Sequence, residues 1–329
     1  MRLPRERGPL SAAVVTALAE GGAVDEHAVA TLLDRLPVDH DTVLDDDLQL
    51  ALWVLYELHY RGFDGVDDAR EWDADLLRLR ALLERLFEAD LRRRTEADVA
   101  AVSDATADVF EQVEALTARV DGPSLAQFVQ REATPQQFLE LMMTRSLYHL
   151  KESDPTSFTL PRIAGPAKAA LAELQYDEYG GGRPERLHAD MFAEALRGCG
   201  LDAAYGAYVD LTPASTLAVN NAMSLFGLHR RLRGASLGHL GAFEMTSSLP
   251  SRRYAQGIRR LGLPEIVAEY YDEHVEADAV HEQVALRDIC GGLVAREPDL
   301  AEDVLFGAWT CLDLEARTAN ALLERWEVA

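Results

Sequence analysis

The chain has 329 residues, of which 48% are hydrophobic and 27% charged, so it can form one large globular domain or a core with an extension. Its formal net charge of −24 argues against nucleic acid and anionic membrane surfaces as partners, because both bind patches of lysine and arginine. The cysteines Cys199, Cys290 and Cys311 are widely spaced without a C-x-x-C motif, as in reduced cytosolic proteins. Because no apolar run approaches about 18 residues and the N-terminus does not resemble a signal peptide, we expect a cytoplasmic protein without a membrane span.

The first 120 residues show helical patterns throughout. The predicted helices are two short ones within residues 9–36, one that opens at Asp45-Asp46-Asp47, and two longer ones over 73–94 and 96–120. Glu57 and His59 are metal-ligand types, but residues two apart do not face each other on a helix, so we predict structural roles for both. The turn signal Asp121-Gly122-Pro123 ends this part of the chain.

The remaining residues are also helical in pattern. Thr134-Pro-Gln-Gln137 is a capping box with proline at the first helical position, and it opens a helix to Leu150. The further predicted helices cover 166–178, 183–196, 213–233, 236–247, 250–261, 264–292 and 298–326. Alternation typical of strands is nearly absent, so the predicted fold class is all-α.

The stretch from Tyr271 to His281 carries the clearest functional signal. His274, Asp278 and His281 are spaced i, i+4 and i+7, which places their side chains on one face of a helix. Two imidazoles and a carboxylate are ligand types that iron, manganese and zinc accept. The alternative is a solvated polar face on an acidic helix.

Two other stretches add candidate ligands. Glu244 stands in the otherwise apolar segment Gly238–Met245, where a carboxylate needs a partner arginine or a metal ion if it is buried. Glu178 and His188 flank Gly180-Gly181-Gly182, and a break at these glycines could turn both side chains inward. Glu185 and His188 form an E-x-x-H pair, the spacing of ferritin-like di-iron bundles, so Glu185 is the reserve ligand.

Taken together, these residues resemble a known family, the haem-oxygenase-like diiron oxidases and oxygenases, also described as iron-containing redox enzymes. The resemblance rests on the ordered set Glu178…His188, Glu244 and His274-x3-Asp278-x2-His281. It implies a haem-oxygenase-like helical bundle over residues 121–329 that binds two irons in place of haem, with an N-terminal helical extension over residues 1–120. Carried over position by position, it implies the metal ligands Glu178, His188, Glu244, His274, Asp278 and His281.

The resemblance also implies an activity. Two irons (Fe2+/Fe3+) would activate O2, the co-substrate, through a peroxo-diiron species that oxidises a small molecule. We expect N-oxygenation of an amino-acid-like amine; the alternative is oxidative decarboxylation or C–C cleavage of a carboxylic acid by the same site. As partners we expect a small-molecule substrate, an external electron donor and a second copy of the chain in a homodimer, with no nucleic acid and no membrane.

Several residues near the ligands in sequence are candidates for supporting roles, with purely structural roles as the alternative. Candidate acceptors for the histidine N–H groups are His239, Tyr176, Asp177 and Tyr271. Arg252 or Arg253 could pair with a substrate carboxylate.

Other protein classes fit the sequence less well. Haem oxygenase proper needs only one proximal histidine, and a serine hydrolase would show the absent G-x-S-x-G motif. A non-catalytic helical scaffold or binding protein remains the alternative from another class.

Overall fold

The structure is a computed structural model that describes residues 1–104 and 106–328, and the side chains of all of these except Glu26 and residues 276–280. The chain is 75% helical, and the described residues contain no strand. The all-α prediction is therefore confirmed. Within the described part of the chain, no helix is both long and apolar enough to cross a membrane.

The helices follow one another with short connections. The first seven are α1 (Pro9–Glu20), α2 (Glu26–Leu33), α3 (Asp46–Glu57), α4 (Ala74–Val102), α5 (Val109–Thr117), α6 (Leu125–Arg131) and α7 (Pro135–His149). The others are α8 (Asp154–Ser157), α9 (Pro166–Glu178), α10 (His188–Gly198), α11 (Ala214–Leu228), α12 (Arg233–Leu261), α13 (Glu265–Gln283), α14 (Gly292–Arg296) and α15 (Ala301–Arg325).

Polar side chains fix where several of these helices begin. Asp45 accepts hydrogen bonds from the backbone N–H groups of Asp47 and Leu48 at the start of α3, and Asp73 caps α4 in the same way. Thr134 and Gln137 form the reciprocal capping box that the sequence predicts for α7. These caps satisfy N–H groups that have no partner within a helix.

Several predicted helix boundaries are wrong. The predicted helix over residues 96–120 is divided between α4 and α5, and the one predicted over 183–196 begins only at His188. The predicted break between residues 94 and 96 does not occur, because Thr95 and Val99 are buried and α4 continues to Val102. The predicted separation at Pro250 is also absent, since α12 runs through this proline. Proline removes one helical hydrogen bond, but Ser251 and Ala255 beyond it are buried, so packing keeps the helix intact.

The predicted long helix over residues 264–292 is present but irregular. α13 ends at Gln283, and Val284–Gly291 continues directly as a π-helix. This wider segment buries Leu286 and Ile289. π-helical turns are rare and often lie beside functional sites.

Helix α12 lies at the centre of the bundle and packs along α13, α15 and α6. Two glycines allow its backbone to approach that of α15 closely. A Cβ atom on Gly238 would lie 1.9 Å from the carbonyl oxygen of Val304, and one on Gly307 would lie 1.9 Å from that of Ala235. Only glycine permits this approach, which sets the depth at which α12 presents Glu244.

The N-terminal helices share an apolar core with the rest of the chain. Buried side chains of α3, such as Leu48 and Leu52, belong to the same cluster as Phe226 of α11 and Phe306 of α15. Glu57 is fully buried against Lys151 and Tyr205, which agrees with the structural role predicted for it. The division of the chain between residues 120 and 121 stays a prediction.

Candidate metal centre

Six buried residues that are metal-ligand types meet where α7, α9, α10, α12 and α13 approach one another. Their exposed fractions lie between 3% and 9%. They form two groups of three, in each of which the candidate ligand atoms lie within 4.8 Å of one another. The first cluster is Glu152, His188 and His274, and the second cluster is Glu178, Glu244 and His281.

The first cluster combines two imidazoles with one carboxylate. His274 Nε2 lies 3.6 Å from Glu152 Oε2, and the ring centroids of His188 and His274 are 4.6 Å apart. The other ring nitrogen of His274, Nδ1, lies 2.9 Å from the backbone oxygen of Tyr270. Because a carbonyl only accepts hydrogen bonds, this contact places the proton on Nδ1 and leaves the lone pair of Nε2 facing the cluster.

The second cluster combines two carboxylates with one imidazole. His281 Nδ1 lies 3.5 Å from Glu178 Oε1 and 3.6 Å from Glu244 Oε2. On the other side of the ring, Nε2 lies 3.5 Å from Asp177 Oδ2. Asp177 thus occupies the outer position predicted for an acceptor, and Nδ1 faces the two carboxylates.

Glu178 joins the two clusters. Its Oε2 lies 3.0 Å from His188 Nδ1 of the first cluster, while its Oε1 faces His281 of the second. Ser153 Oγ donates a 3.0 Å hydrogen bond to Oε2 and holds the carboxylate in this orientation. A carboxylate with one oxygen directed at each of two neighbouring groups has the arrangement of a bridging ligand.

The glycine-rich connection explains how Glu178 and His188 come together. α9 ends at Glu178, and Gly180, Gly181 and Gly182 all have positive φ, which turns the chain sharply. A short 3₁₀ turn over Pro184–Arg186 then leads into α10, which begins at His188. The chain therefore breaks at the glycines, and both side chains are directed inward.

The predicted reserve ligand lies elsewhere. Glu185 is exposed on this 3₁₀ turn, whereas His188, three residues later, is buried. The next residue, Arg186, pairs with Glu273 of α13 and fixes the connection against the helix that carries His274. The structure thus separates the two members of the E-x-x-H pair.

The electrostatics of the site fit bound cations. Burial raises the pKa of Glu244, and the nearby charge of Glu178 raises it further. Burial also raises the pKa values of Glu178 and Glu152, but contacts with histidines outweigh it and lower both values, through His188 for Glu178 and through His149 and His274 for Glu152. Among the described residues, the side chains that contact these three carboxylates are those of histidine, serine and tyrosine. Two divalent cations would compensate the buried negative charge of these carboxylates directly.

Glu152 and its neighbours were not among the residues predicted from the sequence. Glu152 lies in the turn after α7, where helical spacing does not connect it with another predicted ligand. His149 Nδ1 lies 3.7 Å from Glu152 Oε1 and 2.8 Å from the hydroxyl of Tyr270. The spacing of His149 and Glu152, three residues apart at a helix end, was the available signal.

The remaining residues predicted to be ligands or to support them lie at different distances from the two clusters. The side chain of Asp278 lies outside the described residues. Tyr176 is 59% exposed and donates a hydrogen bond to the backbone oxygen of Gly181, so it supports the glycine turn. The hydroxyl of Tyr271 donates to Met142 Sδ at 3.7 Å. Arg252 is exposed and Arg253 donates to Ser124 Oγ, so the structure places both in surface positions.

Two cavities border the centre. A cavity of about 360 Å³ reaches Glu152 and His274 of the first cluster, with Tyr271 in its wall. A smaller one of about 20 Å³ is lined by Glu178, Glu244 and His239. The large cavity has the size of a small-molecule site, while the small one has room for about one water molecule.

Comparison with known proteins identifies a family for the region that contains the centre. The sequence model of a family described as "iron-containing redox enzyme" matches residues 139–316, more than half of the chain. This range includes all six residues of the two clusters. No curated protein matches the chain significantly.

Proposed function

Since the chain belongs to the family of iron-containing redox enzymes, we propose that its two clusters bind a pair of irons and that the enzyme uses O2 to oxidise a small molecule. The position of Glu178 carries this proposal, because its two carboxylate oxygens face one cluster each. A single-metal site would not need a carboxylate in this position. The all-α fold agrees with the haem-oxygenase-like bundle that the sequence resemblance implies.

The donor set matches iron in each half of the centre. Glu152, His188 and His274 would hold one ion with the two-histidine, one-carboxylate set that non-haem Fe(II) oxygenases use. Glu178, Glu244 and His281 would hold the second, and the sequence places Asp278 one turn before His281 on the same helix. Two bound irons would supply the electrons that reduce O2, which is chemistry that no side chain of this chain can perform.

The side chains around the ligands orient them and limit the access of water. The Tyr270 carbonyl fixes the tautomer of His274, Ser153 holds Glu178, and Asp177 faces the outer nitrogen of His281. The cavity of about 20 Å³ beside Glu178 and Glu244 could admit O2, while the larger cavity beside Glu152 and His274 could hold the substrate.

The proposed reaction is N-oxygenation of an amine, with decarboxylation or C–C cleavage of a carboxylic acid as the alternative. In N-oxygenation one oxygen atom of O2 enters an N–H bond to give a hydroxylamine, and the other leaves as water. The reaction consumes two electrons and two protons that the amine does not supply. The proposal therefore includes an external electron donor.

Iron content tests the proposal. Protein produced with added iron and purified without O2 should hold about two irons per chain. Glu178→Gln should lower this number strongly, because one change affects both clusters, whereas the matched control Glu185→Gln changes an exposed side chain and should bind as much iron as the wild type. A wild type that binds no iron would leave the helical scaffold as the better interpretation, and a loss confined to Glu185→Gln would assign the ligand to the E-x-x-H pair.

A further inference from the structure

The large cavity has a mainly apolar wall with one charged pair away from the candidate ligands. Leu141, Phe243 and Leu312 contribute apolar surface, and residues of the α5–α6 connection line the cavity as well. Glu152 and His274 mark the part of the wall that belongs to the centre. Arg145 of α7 and Glu315 of α15 form the charged pair.

Helix α7 sets the separation between this pair and the centre. Leu141, Arg145 and His149 line the cavity at spacings of four residues that follow one face of α7, and Glu152 lines it from the turn that follows the helix. Arg145 precedes His149, the last residue of α7, by four residues. At 1.5 Å per residue, this corresponds to about 6 Å along the helix axis.

The geometry of the pair leaves hydrogen-bonding capacity on both partners. Arg145 Nη1 lies 2.9 Å from both Glu315 oxygens, so this contact does not use Nε and Nη2 of the guanidinium. The side chains are 14% and 31% exposed, so each retains surface that another group can contact. A guanidinium binds a carboxylate through parallel N–H donors, and a carboxylate can accept from an ammonium group in addition.

We propose that Arg145 and Glu315 bind the zwitterionic head group of an α-amino acid, with the substrate carboxylate at Arg145 and its ammonium group at Glu315. The substrate side chain then extends along the apolar wall towards Glu152 and His274. This inference rests on the proposed function for its reaction, but the binding site stands on the cavity and the ion pair.

This placement has a consequence for the position that reacts. A carboxylate held at Arg145 lies more than one turn of α7 before the turn that carries Glu152, so the substrate side chain, and not the carboxylate, is directed at the centre. Oxidation is then expected at the far end of the side chain. This favours oxidation of a distal group, such as an amine, over decarboxylation at the carboxylate.

Three probes with the same eight-carbon chain test the head-group preference. L-2-aminooctanoate, octanoate and octylamine are titrated into metal-free protein and followed by calorimetry. The wild type should bind L-2-aminooctanoate at least about tenfold more tightly than either of the others, because only this probe satisfies both charges.

Two variants give opposite expectations for octanoate. Glu315→Gln should remove the preference for the amino acid and strengthen octanoate binding, because the charge of Arg145 is then free to pair with the probe. Arg145→Gln should weaken the binding of L-2-aminooctanoate and of octanoate by about tenfold. Arg85→Gln, which changes an exposed arginine on α4, is the matched control and should bind all three probes like the wild type.

If Arg145 and Glu315 only join α7 to α15, the titrations should give a different pattern of affinities. The three probes would then bind the wild type equally, or both cavity variants would weaken all three alike, and either result would overturn the inference. Because the titrations use no iron, they are independent of the proposed reaction. Iron content separates the two proposals further, since Arg145 belongs to neither cluster and Arg145→Gln should hold as much iron as the wild type.

Discussion

His239 is a buried imidazole beside the candidate centre. It is 3% exposed, and its Nε2 has no hydrogen-bond partner among the described residues. Burial lowers its pKa from 6.5 to about 4. The unfolded chain, with a histidine pKa of about 6.5, therefore binds a proton more tightly than the folded chain, and stability is lost as the pH falls from about 6.5 towards about 4.

Replacing His239 should reduce the acid sensitivity of the metal-free protein. Between pH 7 and pH 5, the wild type should lose about 2 kcal/mol more unfolding free energy than His239→Leu, because leucine has no proton to gain. Urea denaturation at the two pH values measures this difference. An equal loss in both proteins would show that His239 does not titrate in this range.

The candidate ligands were partly predictable from individual residues. The sequence selected Glu178, His188, Glu244, His274 and His281, and the structure brings all five together. Spacing on one helix was sufficient for the two histidines of α13. The sequence favoured Glu178 and kept Glu185 in reserve, but it could not settle this choice, because the choice depends on the φ angles of the glycines between Glu178 and His188. It also missed Glu152, since a residue in a turn has no periodic pattern that marks it as buried.

The glycine turn between α9 and α10 positions two candidate ligands, and its three glycines are not equivalent. Gly180 and Gly181 both have positive φ, so alanine at either position introduces about 1 kcal/mol of backbone strain. At Gly180, however, a Cβ atom would also lie 2.8 Å from the backbone atoms of Arg186 and Leu187. At Gly181, the nearest atom belongs to the Tyr176 ring at 3.8 Å, an ordinary contact.

Gly180→Ala should therefore lower iron content much more than Gly181→Ala. The clash must displace the segment that leads into His188, which moves this imidazole away from Glu178. Metal analysis of both variants measures the effect, and Gly181→Ala serves as the control for strain without a clash. If both variants retained the iron of the wild type, the turn would not determine the distance between the two ligands.

Local signals predicted most helices, and their errors have physical causes. The capping box at Thr134 and the proline at the start of α9 gave correct helix starts, because these signals act within one turn. Pro250 gave a wrong break, because packing of α12 against its neighbours outweighs one lost hydrogen bond. The π-helix after Gln283 has no local signal, since a wider helical turn depends on the groups that pack around it.

A buried ion pair connects the candidate centre to the N-terminal helices. Lys151 Nζ pairs with Glu57 of α3, lies 3.9 Å above the Tyr60 ring, and directly precedes Glu152 in the chain. The Tyr205 hydroxyl donates to the same Glu57 oxygen at 2.7 Å. Removing one partner of a buried pair is strongly destabilising. The N-terminal helices thus hold the turn that carries Glu152 and Ser153, although they lie outside the residues that the family model matches.

Because the two clusters draw residues from five parts of the chain, metal binding should stabilise the entire fold. Fe(II) at about one hundred times its dissociation constant adds about 2.7 kcal/mol for each site, since it binds only the folded state. Added without O2, it should raise the melting temperature of the metal-free wild type by about 8 °C. The increase should shrink as the pH falls through about 6.5, because a protonated imidazole cannot coordinate iron.

Two variants test which carboxylates take part. Asp278→Ala should reduce the increase in melting temperature, whereas Glu194→Gln, which changes an exposed carboxylate on α10, should leave it intact. A melting temperature that does not respond to Fe(II) at neutral pH would contradict metal binding at both clusters.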